Sequence, residues 1–372
     1  MRALAGCDVL IVGAGIVGLA HAAEALARGL SVTVIDRDSR AVGASVRNFG
    51  HCCVTAQTGE LLELAHVARE RWLAHSRDAG FFSVESGAVA VAQSATELVV
   101  LEELAASRGG GEVQLLTTNE LRTRFDALAG EAIVGGALLR DDLRVDPREA
   151  VGALAAHLEK RGVTFLWRTA YFGSSTGIAE TSRGTITAER VIVCVGHDLD
   201  YLYPELAEAH EVKRCGLQMA LVRQERPKSL APAVLTGTSM LRYPAFAETA
   251  AAQLLRRELT ESDPELLRIE ANIMFTQRPD GTMIVGDSHT TDLTMAPFLI
   301  EETSELLLER VRRVLGAPRL QLVERWQGVY ASSPQHPYLV AEIEPGVTAV
   351  SVTSGVGMTI SLGLAASVFA AF

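Results

Sequence analysis

The stretch Val9-Leu10-Ile11-Val12-Gly13-Ala14-Gly15-Ile16-Val17-Gly18 decides how the chain is read. An apolar run of β-formers ends directly in a Gly-x-Gly-x-x-Gly spacing, and residues 16–28 are rich in small helix formers until Gly29 closes them. Residues 31–35 have the pattern of a second buried strand, and Asp36 stands at its end. Strand, glycine turn, helix, strand and acid in that order make the first unit of a doubly wound sheet. Gly13 permits the tight turn, Gly15 lets the backbone approach a pyrophosphate, and Gly18 lets helix and strand pack closely. The amides of Ile16 and Val17 open the helix, whose N-terminus offers partial positive charge to phosphate. Asp36, followed by Arg37, is placed to accept hydrogen bonds from an adenosine ribose. The same glycine spacing occurs in ordinary turns, but strand, helix and acid are in register with it here, which points to a dinucleotide.

Outward from this unit the pattern alternates between helix and strand. Leucines at helical spacing predict a helix over 60–75, and a strand over 87–92 and a helix over 95–107 follow. Asp146, Pro147 and Glu149 make a strong helix start, with Gly162 as the stop. Strands are expected at 163–167 and 191–195, the second closing on Gly196. Residues 213–222 and 268–285 alternate apolar and polar, with Pro279-Asp280-Gly281 as a hairpin turn, which suits an antiparallel sheet. From 325 the chain reads as strand, loop, strand and C-terminal helix.

Composition removes several classes of function. The net charge of -11 argues against nucleic acid as a partner, which would need a basic stripe. Cys7, Cys52, Cys53, Cys194 and Cys215 form no CxxC pair and no metal-ligand spacing, so no metal is expected, and their odd number suits free thiols in a cytoplasmic protein. Residues 3–20 lack a basic leader, contain Asp8 and carry phased glycines, which speaks against a signal peptide. Residues 346–372 are uncharged and long enough to span a bilayer, but Gly355 and Gly357 divide them after a β-branched run. They read as strand, glycine turn and buried helix, with no stable membrane span.

The glycine fingerprint serves FAD and NAD alike. Three features favour FAD. The loop Gly43-Ala44-Ser45-Val46-Arg47-Asn48-Phe49-Gly50 is polar and bounded by glycines, placed to run along a ribityl chain and pyrophosphate. The strand at 191–195 closes on Gly196, and Ser354-Gly355-Val356-Gly357-Met358-Thr359 opens the last helix, whose amides suit negative charge at flavin N1 and C2=O. Each alone has an ordinary reading as a turn. Together they make Ala44, Ser45, Asn48, Phe49, Gly50, Gly196 and Gly355 expected FAD contacts beside the fingerprint. The fold class is then α/β: a discontinuous Rossmann-like FAD-binding domain over 1–82, 145–210 and 325–372, plus a substrate domain over 83–144 and 211–324, built on a largely antiparallel sheet with flanking helices. Two domains suit 372 residues, more than one hydrophobic core comfortably holds.

With these residues in place the chain resembles the D-amino-acid oxidase superfamily, which includes glycine oxidases and sarcosine oxidases. The likeness spans the fingerprint, the GASVRN loop, the ERVIVCVG strand, the WQGVYASSP segment and the SGVGMTIS terminus. Within that superfamily ASVRNFG, RCGLQM, RPDGTMIVGDSH and GVGMTIS look most like a bacterial branch encoded beside genes for 2-aminoethylphosphonate breakdown. The resemblance implies that Tyr171 contacts adenine through main-chain atoms and that Gly357, Met358 and Thr359 meet the isoalloxazine. It also marks departures. Tyr330 stands where glycine oxidase-like proteins place an arginine for the substrate carboxylate, as in sarcosine oxidases. Gly328 stands where sarcosine oxidases attach flavin through cysteine, so the FAD is expected to be non-covalent. Ile284 replaces the lysine those enzymes hold near the flavin for oxygen.

Amine oxidation by a flavin requires an uncharged nitrogen, a C–H bond aimed at N5 and a dry pocket, so no acid–base residue is assigned. For an anionic head group the candidate anchors are Arg47, Arg242 and Arg278, since guanidinium forks match phosphonate or carboxylate oxygens. Arginine is also this chain's routine surface cation, an ordinary reading to which Arg47 is the exception, since its loop should face the flavin. His51, after the flavin loop, and His289, at the end of a substrate-sheet strand, are candidates to touch the substrate or to satisfy a local hydrogen bond. Tyr243 and Tyr330 are candidates to close the pocket or to pack in the core. The expected function is FAD-dependent oxidation of the C–N bond of a small primary or secondary amine. The imine would be hydrolysed to aldehyde or keto acid, and O2 would reoxidise the flavin with release of H2O2. The best specific substrate is 2-aminoethylphosphonate or its N-methyl derivative. The alternatives are glycine, sarcosine or D-amino-acid oxidation, a dehydrogenase using a quinone or carrier in place of O2, and a nicotinamide-dependent enzyme.

Overall fold

Val9 to Val12 lie in the middle of the first sheet because they are apolar on both faces, as a parallel strand covered from two sides must be. The computed structural model describes residues 3–372. Ala3–Val12 pairs in parallel with Val32–Asp36 on one side and with Gly184–Val193 on the other. Thr164–Trp167 continues the parallel set beyond Val32–Asp36, and Val347–Val352 continues it beyond Gly184–Val193. Val9 and Ile11 face a core shared with Leu19, Ala68 and Leu364, whereas Leu10 and Val12 face Tyr171, Ala179 and Ile186. The helices Ile16–Ala27, Gly59–Ala79 and Gly357–Ala370 thus lie on one face, and the antiparallel strands Tyr171–Ser175 and Ile178–Thr181 join the same sheet and serve the other core.

The uncharged C-terminal tract is strand, turn and buried helix, seated against the first two long helices. Gly363 makes this possible: a Cβ there would lie 2.1 Å from the Leu64 carbonyl oxygen. Polar side chains fix the last helix where it has no charges of its own. The buried Trp72 donates its indole N–H to Met358 O at 2.7 Å. Arg71 Nη1 donates to Leu362 O at 3.0 Å and Arg28 Nη1 to Phe369 O at 2.7 Å. Glu24, buried between those arginines, accepts from both, at 2.8 Å from Arg28 and 2.5 Å from Arg71. Among the described residues no helix is long and apolar enough to cross a membrane.

The second sheet has eight strands, in the order Leu320–Ser332, Lys213–Gln224, Met283–Asp292, Met274–Gln277, Ala233–Leu235, Ala88–Ala92, Gly135–Leu139 and Val113–Thr117. All neighbours are antiparallel except Ala88–Ala92 with Ala233–Leu235, so the sheet is largely antiparallel, as its alternating sequence implies. Leu307, Leu308, Val311 and Val314 of the helix Glu301–Leu315 cover it. Pro279-Asp280-Gly281 turns the chain from Met274–Gln277 into Met283–Asp292, with Gly281 N donating to Arg278 O at 2.9 Å.

Three expectations shift. The alternating tract expected from 268 begins inside a helix, Pro264–Arg268, because Pro264 opens a helical turn after Asp263, and the strand starts only at Met274. The division expected at 325 falls within Leu320–Ser332, which pairs along its length with Lys213–Gln224 and so belongs to the second sheet. The tract beyond it carries two strands, Tyr338–Glu344 and Val347–Val352, where one was expected.

Candidate active site

Ligands of parallel α/β sheets sit beyond the carboxyl ends of the strands. There, Val12, Ile35 and Val195 open onto a cavity of about 380 Å3 that continues across to Asp287 and His289 of the second sheet. At the first end Gly13 adopts φ 102°, and a Cβ would lie 2.5 Å from Cys194 O. Its N–H donates to Ile35 O at 2.8 Å, locking the turn to the next strand. Asp36 Oδ2 accepts from Ala14 N at 2.8 Å and Oδ1 from Asp38 N at 2.9 Å, so the carboxylate is oriented before any ligand arrives. Burial raises its pKa, against those two amides, which favour the charged form. Ser45 Oγ accepts from Ile16 N at 2.9 Å, tying the polar loop to the helix N-terminus. Arg37 pairs with Asp198 at 2.6 Å, and Tyr171 donates its hydroxyl to Ser174 Oγ at 2.9 Å.

The cavity has the form of a dinucleotide cradle. Gly43 and Gly196 line it, and a Cβ at either would meet no protein atom within 4 Å. At Gly357 the nearest atom to an added Cβ is 3.9 Å away. The first turns of two helices, Ile16–Ala27 and Gly357–Ala370, face it, and first-turn amides have no partner within their own helix. One helix terminus suits phosphate and the other suits an electron-rich ring. These residues fit FAD.

The structure brings most of the expected residues together. Gly13, Gly15, Ile16, Val17, Asp36, Arg37, Ala44, Ser45, Asn48, Phe49, Tyr171, Gly196, Gly355, Gly357 and Met358 line the cavity, as do Arg47, Arg242, Tyr243, His289 and Tyr330. Gly18 instead lets helix and turn touch, since a Cβ would sit 1.9 Å from Gly13 O. Gly50 packs in the same way against Val145 O, and Thr359 turns away to accept from Cys53 N at 3.1 Å. His51 is buried and committed to Asp142 through Nε2 at 2.7 Å, and Asp142 also accepts from Thr55 N. Arg278 is spent on Asp146 at 2.9 Å and Asp280 at 3.4 Å. Neither His51 nor Arg278 lines the cavity: each is turned to a carboxylate nearer to it.

At the second end Arg242 donates through Nη2 to Tyr330 Oη at 2.8 Å. Burial opposes its charge, yet Tyr330, Tyr243 and Asp287 keep its pKa above the usual arginine value. Arg47 is held by Gln327 O at 3.1 Å. His289 donates Nδ1–H to Glu270 O at 2.8 Å, and burial lowers its pKa well below the ordinary value, so the ring is neutral. Tyr243 Oη donates to Met274 Sδ at 3.5 Å, and Leu217 and Val329 supply apolar wall. Residues not singled out from sequence also line this end, notably Asn272 and Asp287. Asp287 carried a signal: it is an acid inside a buried run, Met283 to Ser288, that is otherwise apolar or small.

Comparison with known proteins agrees with this geometry. A family model described as FAD dependent oxidoreductase matches residues 8–370. A glycine oxidase of Geobacillus kaustophilus (strain HTA426) is 29% identical over 206 residues, which is 51% of this chain and 54% of that protein. A gamma-glutamylputrescine oxidoreductase of Escherichia coli (strain K12) is 26% identical over 240 residues, 57% of this chain and 54% of that protein. The chain therefore spans about half the length of the curated relatives it matches. In fold, the crystal structure of a glycine oxidase from Bacillus cereus ATCC 14579 superposes with a TM-score of 0.78 at 20% identity, covering 98% of this chain and 96% of that one.

Proposed function

Because the chain belongs to the family of FAD-dependent oxidoreductases, we propose that it oxidises the C–N bond of a small primary or secondary amine that also carries an anionic head. A matched glycine oxidase and a matched gamma-glutamylputrescine oxidoreductase support amine or amino-acid chemistry. Bound non-covalently, since Gly328 offers no thiol, FAD would accept the hydride from the carbon beside nitrogen, and O2 would take the electrons on as H2O2. The chain's own share is placement. Gly13, Gly15, Ile16 and Val17 hold the pyrophosphate, Asp36 the ribose, and Gly357 and Met358 the ring system. Arg242 takes the anionic head, Tyr330 orients the guanidinium, and Leu217 and Val329 keep water from the reacting carbon. The imine product is then hydrolysed to an aldehyde or keto acid.

The observation that carries this reading is Arg242, a half-buried guanidinium on the cavity wall whose hydrogen-bond partner is the neutral Tyr330 hydroxyl rather than a carboxylate. It retains donors for a ligand oxygen. The substrate we favour is 2-aminoethylphosphonate or its N-methyl derivative. Anaerobic addition of glycine, sarcosine, D-alanine and aminophosphonates side by side tests this: an aminophosphonate should bleach the flavin fastest, and failure of every small amine to bleach it removes the reading. A second reading, a dehydrogenase passing electrons to a quinone or carrier, is favoured by the buried Ile284 and by the lack, among the described residues, of any lysine on the cavity wall. Peroxide formed per turnover separates the two, and a yield near zero in air selects the dehydrogenase.

A further inference from the structure

We propose that Asp287 is a catalytic carboxylate that receives the substrate's ammonium group and takes its proton, an inference that rests on the amine reading above. Asp287 is 3% exposed, lines the cavity, and has no hydrogen-bond partner for Oδ1 among the described residues. Its backbone cannot withdraw, because its N–H donates to Asn272 O at 2.9 Å and its carbonyl accepts from Asn272 N at 2.8 Å. The groups facing it are Arg242, Tyr243 and Cys215, the Tyr330 hydroxyl, the Asn272 side chain and His289, whose Nε2 lies 3.9 Å from Oδ2. None is a donor seated on Oδ1. His289 is neutral and has spent its one N–H on Glu270 O, and the donor of Arg242 nearest a partner goes to Tyr330.

A buried carboxylate short of donors is costly and uncommon; Oδ1 itself is sealed within the protein, so a molecule entering the cavity meets Asp287 on its cavity-lining side. An N–H of an ammonium group fits the carboxylate by charge and by donor type. Arg242 and Asp287 then give one cavity a positive and a negative wall, the complement of a zwitterion with an acidic head and an amino group. Burial raises the Asp287 pKa to about 7, while Arg242 and the Asn272 amide pull it down, which leaves a base matched to neutral pH. In the step itself one N–H bond of R–CH2–NH3+ breaks, an O–H bond forms on Asp287, and the electron pair stays on nitrogen. Carboxylate and ammonium both become neutral, and the uncharged amine is the form whose neighbouring C–H can leave as hydride.

Anaerobic flavin reduction followed from pH 6 to 10.5 with the best amine of the screen tests this. In the wild type the rate at low amine concentration should rise through about pH 7, well below the amine's own ionisation near 10. Asp287→Asn should lose about 100-fold or more at pH 7 and recover toward the wild-type rate near pH 10, where the amine arrives uncharged. An Asp287→Asn profile that matches the wild type overturns the proposal and leaves the amine reading standing. Should that variant fail to fold or hold flavin, the wild-type profile decides, and a limb near 10 in place of 7 overturns the proposal. No bleaching of the wild type by any amine removes the amine reading and this inference with it.

Discussion

Two ionisable side chains, Arg242 and Glu97, show how single residues divide between binding and stability. Arg242 faces the cavity, so its loss should be felt by the ligand: Arg242→Gln should raise the half-saturating concentration of an anionic amine by about 10- to 150-fold, the range for a hydrogen bond to a charged group. An uncharged amine of similar size should change little, and steady-state titration of both reads the difference. Glu97 acts on stability instead. It is 7% exposed, and burial raises its pKa from 4.5 to about 7 although Gln93 N donates to it at 2.6 Å. The fold therefore prefers the protonated acid: its contribution is full below 4.5 and is lost as pH rises through about 7. Glu97→Gln stays neutral, so it should gain on the wild type across that window by at most about 3 kcal/mol, at roughly 1.4 kcal/mol per pH unit. Urea unfolding at pH 5 and pH 8 checks this, and an equal gap at both pH values rules it out. Arg242 stands out in the sequence as a candidate, and Asp287 offers only the weaker signal of an acid in a buried run. A guanidinium fork matches an anionic head group by its own chemistry, whereas a lone acid in a buried strand takes its meaning from its place on the cavity wall.

At the level of elements, what could be read in advance is what local chemistry alone specifies. The helix Ala95–Ser107 and the helix Pro147–Lys160 begin and end as their sequences dictate, with Ser94 accepting from Glu97 N and Asp146 from Arg148 N at the caps. The strand Leu320–Ser332 was misplaced because it is the edge of its sheet: Gln321 to Glu324 are exposed, so the apolar alternation that marks a one-sided strand is missing at its start. Short turns of helix such as Gly237–Met240 and Pro244–Ala247, which carry Arg242 and Tyr243 between them, are too brief to have a period at all. The last helix was legible as buried, but its reason for lacking side-chain bulk at Gly363 lies in the partner helix. Gly363→Ala should push a methyl group onto the Leu64 carbonyl, now 2.1 Å from that Cβ position, and cost about 1–3 kcal/mol as overpacking. Since Met358 and Gly357 open the same helix onto the cavity, the variant should also hold FAD less tightly. A melting temperature and flavin content equal to the wild type would show that the two helices part at no cost.

For the whole molecule, chain order and spatial order disagree, and the cavity exists because of it. Residues near both termini, Gly13 and Gly357, line one groove, and residues from the second sheet close its far end at Arg242 and Asp287. The sequence order of motifs could announce the cradle, since each glycine-rich turn carries its own signature, but not which strands of the second sheet would reach it, because that depends on a register set by long-range pairing. A ligand spanning this groove should bind the folded chain alone and stabilise it by RT ln(1 + [L]/Kd), about 4 kcal/mol at a thousandfold excess over Kd. Removing FAD should therefore lower the melting temperature, and adding it back should restore it. On the proposed placement ADP would reach only the half of the cavity lined by Gly13 and Asp36, so it should recover part of the shift. If ADP restores the full shift, the last helix contributes nothing to binding. If flavin-free and flavin-loaded protein melt together, the groove is not where FAD resides, since a ligand that leaves the folding equilibrium untouched makes no differential contact with the fold.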